Sequence, residues 1–505
     1  MSEAVPYYLG QGARDYDSVS SSRFPSTVKA YAIEPDTLFE HRLSFSQDSI
    51  TGTSQEPPSS QAFSKEISTP GAEDKILNSE PRQEKLTVLD FYATPNDGKG
   101  DSGAFMNAIK HASNVTGVVF IPSGTYVIDK LLRIPSNMTI EGEDRERTIL
   151  VGNYTSDTSL PKDVIGIRGE PDKALSNVTI ANLTVHGSGA NTMGNCIDLK
   201  WVKNYTVVNT MLSGCGSGPD GAAVYTRETS DGKIINNVIN KSRNGYLSAQ
   251  HRGGSDNVLI ANNTISNSVD DAIHPQNGSF NKIIDNIVSN SGDDSIDLFY
   301  ENNTIVENNV IIMNDNSTHI NGLEVGDGSS NILIRNNIVN GGLANGINVG
   351  SDTVRFDPTL ISNNITIVGN NIDNTYENCV RVSQAYDIEI LDNKLEKCNN
   401  VRESPSHGIM LANTARDVSI ENNSIAYYGG SLSVGIAIDN AYNIEIVSNI
   451  LVADPINRLY GTGILIGTLS SNIIIENNDL NGCGCTIKNK SFQQDISIKN
   501  NNDRI

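Results

Sequence analysis

Residues 245–300 gather Tyr246, His251, Arg252, His274 and the acidic doublets Asp270-Asp271 and Asp293-Asp294. Two kinds of chemistry suit these residue types. Removing a proton beside a carboxylate needs a cation or hydrogen-bond donor to neutralise that carboxylate, a base, and an acid near the opposite face or the leaving oxygen. Arg252 or a protonated histidine could neutralise, His251 or His274 could act as base, and Tyr246 could donate. Hydrolysis of a glycosidic bond needs two carboxyl groups instead. Asp271 and Asp294 occupy equivalent positions of a repeated phrase, with Asp297 just beyond.

The elements that position these residues follow from a repeat. From about residue 178, two or three apolar positions are followed by Asn-x-apolar, anchored at Asn209, Asn237, Asn263, Asn286, Asn309 and Asn337, and then at Asn370, Asn393, Asn423, Asn449 and Asn478. Anchors lie roughly 23 to 33 residues apart, too short for a helical repeat pair and suited to one coil of three short strands. An Asn at the same corner of each coil can bond the next, which predicts an all-β chain folded as a parallel β-helix, its coils stacked about 4.8 Å apart. One coil between Asp271 and Asp294 then means a carboxyl separation of ~5 Å, suited to a retaining pair, whereas two coils approach an inverting one.

A second phrase, small-apolar-x-apolar-x, aligns the strands. It occurs around Ile197, Leu247, Ile273, Ile296, Leu323 and Ile347, with Tyr246 in register with Ala272, and alternation turns every other residue outward. One outward column is expected to run Asp198, Ser248, His274, Asp297, Glu324, Asn348. Its neighbour carries Lys200, Gln250, Gln276 and Phe299, with Tyr300 just beyond, and one register of the coil at Gly221 adds Tyr225 and Arg227. Such a strip, with aromatic rims for sugar rings and polar groups for hydroxyls and carboxylates, suits a linear acidic polysaccharide. Asp270 and Asp293 also suit strand-end turns, and His319 and His407 read as loop residues. Asp297, Glu324 and Asp327 could together hold Ca²⁺, although no cofactor is firmly implied.

The net charge of −22 argues against a general nucleic-acid binder. No stretch approaches the ~18 apolar residues of a membrane span, and the start MSEAVPYYLG reads as no secretory signal. The six cysteines look too few and scattered for a disulfide framework, and Cys483-x-Cys485 reads as packing more than as a metal site. Residues 1–85, rich in Ser, Pro, Gln and Glu, read as a disordered N-terminal arm, and 86–505 as the solenoid domain. LTVLDF opens it as a strand. Asp101 or Ser102 then caps a helix with Phe105, Ile109 and Ala112 on one face, placed to cover the open end of the solenoid.

LDFYATPNDGKGDSGAFMNAIKHA, followed by GVVFIPSGTYVI and the Asn repeat, resembles the right-handed β-helix proteins of the pectate-lyase-like superfamily. The superfamily includes pectin and alginate lyases, polygalacturonases, mannuronan C5-epimerases and phage tailspikes. The resemblance implies the fold and an extracellular or cell-surface polysaccharide partner. In the epimerases, Tyr-Gly-(Ile/Phe)-Asp-Pro-His carries the site, and Tyr246-Leu-Ser-Ala-Gln250-His251 matches its Tyr and His but not its Asp and Pro. In the polygalacturonases, a paired Asp and a His-Gly do so. Asp270-Asp271, Asp293-Asp294 and His407-Gly408 resemble these, without the Arg-Ile-Lys element. The expected activity is therefore C5 epimerisation or lysis of a uronate polymer such as alginate. The alternatives are a paired-Asp glycoside hydrolase and a non-catalytic, tailspike-like binding solenoid.

Overall fold

The computed structural model describes residues 85–154, 162–187, 194–216, 221–248, 253–313, 320–342, 344–350, 360–398, 407–427, 434–453, 462–480, 486–493 and 495–502. The chain divides into Met1–Glu80, which lies outside these residues, and Pro81–Ile505. Gln250, His251, Arg252, His319, Cys483 and Cys485 also lie outside the described residues.

The second unit is an all-β solenoid of three parallel sheets. Sheet A begins at Val118–Ile121, sheet B at Gly124–Ile128 and sheet C at Leu132–Arg133; among the described residues they hold 16, 13 and 14 strands. Successive coils add one strand to each sheet, so residue pairs such as Ile260 and Ile283 stack directly in parallel register. Inward Ile, Val and Leu side chains form one continuous core from Val88 to Leu480.

Coil register is set at the A–B corner by asparagine. Asn237, Asn263, Asn286, Asn309, Asn337, Asn370, Asn393, Asn423, Asn449 and Asn478 all lie buried there. The Oδ1 of Asn286 accepts the backbone N–H and the Nδ2 of Asn263, both at 3.0 Å. Its Nδ2 donates to Asn309 Oδ1 at 3.0 Å and to the Ile260 carbonyl at 2.9 Å. Each amide thus uses two donors and two acceptors, its full capacity. Asn209 departs from the expected ladder: Thr210 takes that place, giving its N–H and hydroxyl to Asn237 Oδ1. Asn209 sits one position earlier with φ +51°. That preceding position is left-handed along the stack, held by Asn236, Asn262, Asp285, Asn308, Asn336, Gly369 and Asp392. Few residue types other than Asn, Asp and Gly visit this conformation readily. The Asn-Asn doublets are therefore one residue for the turn and one for the ladder.

The helix forms at Ser102–Val115 and buries Phe105, Ala108, Ile109 and Ala112 against the first strands of sheets A and C. Asp101 precedes it but does not cap it with its side chain. The Asp101 carboxylate accepts the Thr94 and Val127 N–H groups at 2.9 and 3.1 Å, while Ser102 Oγ accepts those of Asp129 and Lys130 at 2.9 and 3.0 Å. This pair ties the helix to the sheet B edge. The expected strand LTVLDF is instead a 3₁₀ turn at Val88–Phe91, because the Asp90 carboxylate reaches back to the Thr87 N–H and hydroxyl at 2.9 and 3.0 Å.

The expectation for the cysteines is overturned. Cys196 pairs with Cys215 and Cys379 with Cys398, each closing a separation of 19 residues. The repeat hides these partners because each pair joins the start of a sheet C strand to a turn of the coil. A loop of this size contributes roughly 3 kcal/mol by restricting the unfolded chain. Thiol titration of the denatured, unreduced protein should therefore find no more than two free thiols. Replacing Asn286 by Ala strands several buried donors and acceptors and should cost about 2–4 kcal/mol in denaturant melts. Asn209→Ala, outside the ladder, should cost markedly less.

Candidate active site

A second polar column climbs the B–C corner. Strand register places Asp163, Asn195, Ala222, Asn244, Asp271, Asp294, Asn321, Asn345, Asn378 and His407 at equivalent positions in consecutive coils. Asparagine suits this corner because its Oδ1 accepts the N–H of the next coil: Asn195 takes that of Ala222 at 2.8 Å and Asn321 that of Asn345 at 3.2 Å. Asp294 performs the same service for Asn321 at 2.7 Å. A neutral amide would satisfy the backbone equally well, so Asp271 and Asp294 bring negative charge where the fold does not ask for it.

These carboxyls meet others. Oxygens of Asp271, Asp293 and Asp294 lie within 4.8 Å of one another, and Asp271, His274 and Asp297 form a second group on the same criterion. His274 Nδ1 is bonded to Asp271 Oδ2 and lies 3.3 Å from Asp297 Oδ2, while its Nε2 meets the Gln276 amide. Glu324 accepts Asn321 Nδ2 at 2.8 Å and shares a side-chain hydrogen bond with Asp294. Asp270 is paired with Arg243 at 2.8 Å. Asp271, His274, Gln276 and Asp294 are nearly covered, Asp297 is partly open and Asp293 is exposed.

Crowding so many acids together shifts their protons. Lost hydration, then Glu324, pushes Asp294 well above the carboxylate range. Asp297 also rises, through burial and its acidic neighbours, against the pull of His274. Asp293 is raised to about 6 by lost hydration and by Asp271 and Asp270. Burial alone would lower His274, but Asp297, Asp271 and Asp270 outweigh it and bring the imidazole to about 9. The centre therefore holds an imidazolium beside carboxyl groups that keep protons in the range where free carboxyls have lost them.

Register alters the expected strip. Asp198, Tyr225, Leu247 and His274 share one column, so Leu247 stands where Ser248 was expected. Tyr246 pairs with Val224 and Ile273 and points inward; it is fully buried, and its hydroxyl accepts that of Thr226 at 3.0 Å. Burial raises its phenol far above the ordinary value, so Tyr246 is no proton donor to a surface ligand. The half-match to the epimerase motif fails at its tyrosine. Asp198 is wholly buried, bonded to Arg168 and 3.1 Å from Lys200. Arg227 lies opposite Lys200, and Gln276 opposite Phe299. Lys200 stands 5.2 Å from the Tyr225 ring, Arg227 stands 4.4 Å from that of Trp201, and Phe299 meets Tyr300 edge-on at 4.6 Å. His407 is no loop residue: it opens the strand His407–Ala412, and burial lowers it to about 4.

For a metal, the all-carboxylate group of Asp271, Asp293 and Asp294 offers oxygen ligands of the kind a hard cation takes. Asp327 joins neither group among the described residues. Sequence reasoning missed Gln276's contact with His274, the carboxyl pair Asp294–Glu324 and the buried Glu301 discussed below. The column of Asn broken by Asp was the available signal for the first two.

The scaffold is a parallel β-helix of the kind found in pectate-lyase-like proteins. Residues 86–297 match the profile of the family described as rhamnogalacturonase A/epimerase, pectate lyase-like. A probable rhamnogalacturonase E of Aspergillus oryzae is 27% identical over 281 residues, covering 54% of this chain and 62% of the relative. The chain thus spans less than two thirds of that relative's length. Among solved structures, the A-module of a mannuronan C-5 epimerase from Azotobacter vinelandii matches with a TM-score of 0.52 at 18% identity, over 76% of this chain and 98% of its own. The pre-mature gene product 12 of bacteriophage phi29 matches with a TM-score of 0.54 at 15% identity, over 78% of this chain and 52% of its own. At these identities the likeness is one of fold.

The shifts carry a sign. A raised histidine contributes stability that is complete below its ordinary 6.5 and lost as pH rises through about 9. A raised carboxyl imposes a cost that grows from 3.8 and is complete above about 6. Both make stability fall as pH rises. Asp293→Asn should flatten the lower part of that slope in melts taken between those two values, leaving the His274 part intact.

Proposed function

We propose that this chain is a glycoside hydrolase acting on an acidic, pectin-type polysaccharide. The observation that carries the reading is the convergence of Asp271, Asp293 and Asp294 within 4.8 Å, at a corner where most coils carry asparagine. Cleaving a glycosidic bond needs one carboxyl to protonate the leaving oxygen and one carboxylate to act as base or nucleophile. Asp293, exposed and titrating at about 6, is suited to deliver the proton. Asp271, anchored by His274, supplies the carboxylate, and Asp294 shares its proton with Glu324. The His274 imidazolium keeps neighbouring negative charge tolerable, and Asp297 and Gln276 hold its ring.

The acidic character of the substrate rests on the flanks of sheet C. Arg227 and Lys200 lie two and three coils before His274, a span of roughly 10–14 Å. Arg381 follows beyond Glu324 and Asn348, bonded to Asn348 Oδ1 at 3.2 Å. A polymer lying along the sheet would place uronate groups over these cations and a less charged sugar over the acids. Tyr225, Phe299 and Tyr300 supply rims for sugar faces. The relative's name, a probable rhamnogalacturonase, agrees with such a substrate.

Epimerisation or lysis of a uronate is the second reading. His274 supports it as a charged group in the centre, with His251 and Arg252 as further candidates. In either case the helix Ser102–Val115 serves as cover for the first coil. The paired cysteines suit an extracellular or cell-surface setting.

Incubation with rhamnogalacturonan, polygalacturonate and polymannuronate distinguishes the readings. Hydrolysis releases reducing ends without ultraviolet absorbance from an unsaturated product. Elimination produces that absorbance, and epimerisation changes the proton spectrum of an uncut chain. Asp294→Asn and Asp271→Asn should lower hydrolysis by at least about a hundredfold. Because an amide fits this corner at Asp294, Asp294→Asn should not lower thermal stability and should raise it at neutral pH, whereas Asp271→Asn also removes a partner of the His274 imidazolium. Full activity in both variants would refute the assignment.

A further inference from the structure

Directly behind the strand that bears His274 lies a buried polar network in an otherwise apolar core. Tyr205 Oη lies 3.2 Å from Thr229 Oγ1, which donates to Ser255 Oγ at 2.9 Å. Ser255 Oγ in turn donates to Thr226 Oγ1 at 2.9 Å, and Thr226 to Tyr246 Oη at 3.0 Å. The far end is Glu301, with no exposed surface. Its carboxylate accepts the Gly278 N–H at 2.8 Å, Asn281 Nδ2 at 2.8 Å and Thr304 Oγ1 at 2.9 Å. Asn281 Nδ2 also donates to the Ser255 carbonyl at 2.9 Å, which joins the two parts.

The strand in front is the reason such a network is needed. Its sheet C element is only Ile273–His274, and Pro275 follows, which brings no N–H to the ladder. Gln276 regains a single bridge, to Phe299. The ladder resumes beyond Pro275, with the Asn277 N–H on the Phe299 carbonyl and the Asn302 N–H on the Gly278 carbonyl, both at 3.0 Å, and buried side chains reinforce it from behind. Ser248 Oγ donates to the Gln276 carbonyl at 3.2 Å, and Glu301 holds the Gly278 N–H. The fit at Gly278 is tight, since a Cβ there would stand 2.4 Å from the Ser255 carbonyl and 2.8 Å from Glu301 Oε1.

We infer that Glu301 is a positioning residue: by clamping the turn at Gly278 and Asn281, it holds Gln276 against His274 Nε2 and so fixes the orientation of the imidazole that anchors Asp271. Burial pushes the carboxyl up to about 7, against its three hydrogen bonds. The fold thus bears the cost of a nearly neutralised acid at a place where leucine or isoleucine would serve a plain core. Its value to turnover rests on the hydrolase reading; its hold on His274 does not.

The test uses the full chain with ¹⁵N-labelled histidine, in wild type, Glu301→Gln and Ser248→Ala. Both variants should move the His274 imidazole resonances and its titration midpoint away from about 9. On a cleaved substrate kcat should fall roughly tenfold to a hundredfold with KM little changed, as expected of a displaced group. A clamp of purely structural value would lower the melting temperature and leave the His274 midpoint in place, which overturns the proposal. Unchanged kcat in a variant whose midpoint moved overturns the link to turnover and leaves the hold on His274 standing. If Glu301→Gln does not fold, Ser248→Ala decides on the same readouts. An inactive wild type would remove the hydrolase reading, and the His274 resonances would still decide whether Glu301 positions the ring.

Discussion

Everything in this molecule depends on adjacent coils keeping the same register, and the asparagine ladder is the interaction that enforces it. A slip of one residue in a parallel stack exchanges the inward and outward sets of every strand beyond it. Apolar stacking resists such a slip only weakly, because Ile over Ile and Ile over Val are nearly equivalent. A buried amide that must find both the N–H and the Oδ1 of the next coil is far less forgiving: misplaced, it leaves unpaired polar groups in the interior. The run from Asn237 to Asn478 therefore acts as a ruler along one corner. The left-handed residue before each member supplies the sharp bend that presents it.

The candidate site modifies the same device at another corner. Along Asn195, Asp294, Asn321 and Asn345 the backbone requirement is unchanged, an oxygen aimed at the next coil. Replacing NH₂ by a second oxygen at Asp294 keeps that service and adds charge, and Asp271, one rung earlier, turns its carboxylate to His274. The scaffold thus positions Asp271 and Asp294 with the accuracy of a ladder, and no loop is needed to bring them together. Burial, and then the crowding of like charges, raises the proton affinity of Asp293, Asp294 and Asp297. His274 gains its proton from the same crowding.

Much of this was legible from residue order. The repeat length, the Asn anchors and the equivalence of Asp271 with Asp294 follow from the pattern, since a solenoid's contacts are those between neighbours in the repeat. The errors fall where the pattern lacks punctuation. The coils at Gly221 and Asn244 lack the acidic doublet that marks Asp271 and Asp294, so Tyr246 was aligned with Ala272 in place of Ile273. That single step carried a buried phenol to the surface and put Ser248 in Leu247's column. Asn209 was misplaced for a related reason: Asn is favoured both at the bend and in the ladder, and only the doublets separate the two uses. The disulfides were hidden because both partners lie within one coil, and the two pairs are far apart in the chain.

Electrostatics limits which substrate could lie across such a centre. A uronate directly over Asp271, Asp293, Asp294 and Asp297 would add another negative charge to a group already retaining protons to lower its own repulsion. The cost of that contact falls if the sugar at the point of attack is neutral and the acidic sugars sit farther out. Lys200 and Arg227 on one side and Arg381 on the other stand at such distances along the same sheet. Lys200 has Asp198 beside it and Arg227 lies against an aromatic face, which fixes the direction of both. On the proposed hydrolase reading, such an arrangement favours a polymer that alternates neutral with acidic sugars over a uniform polyuronate.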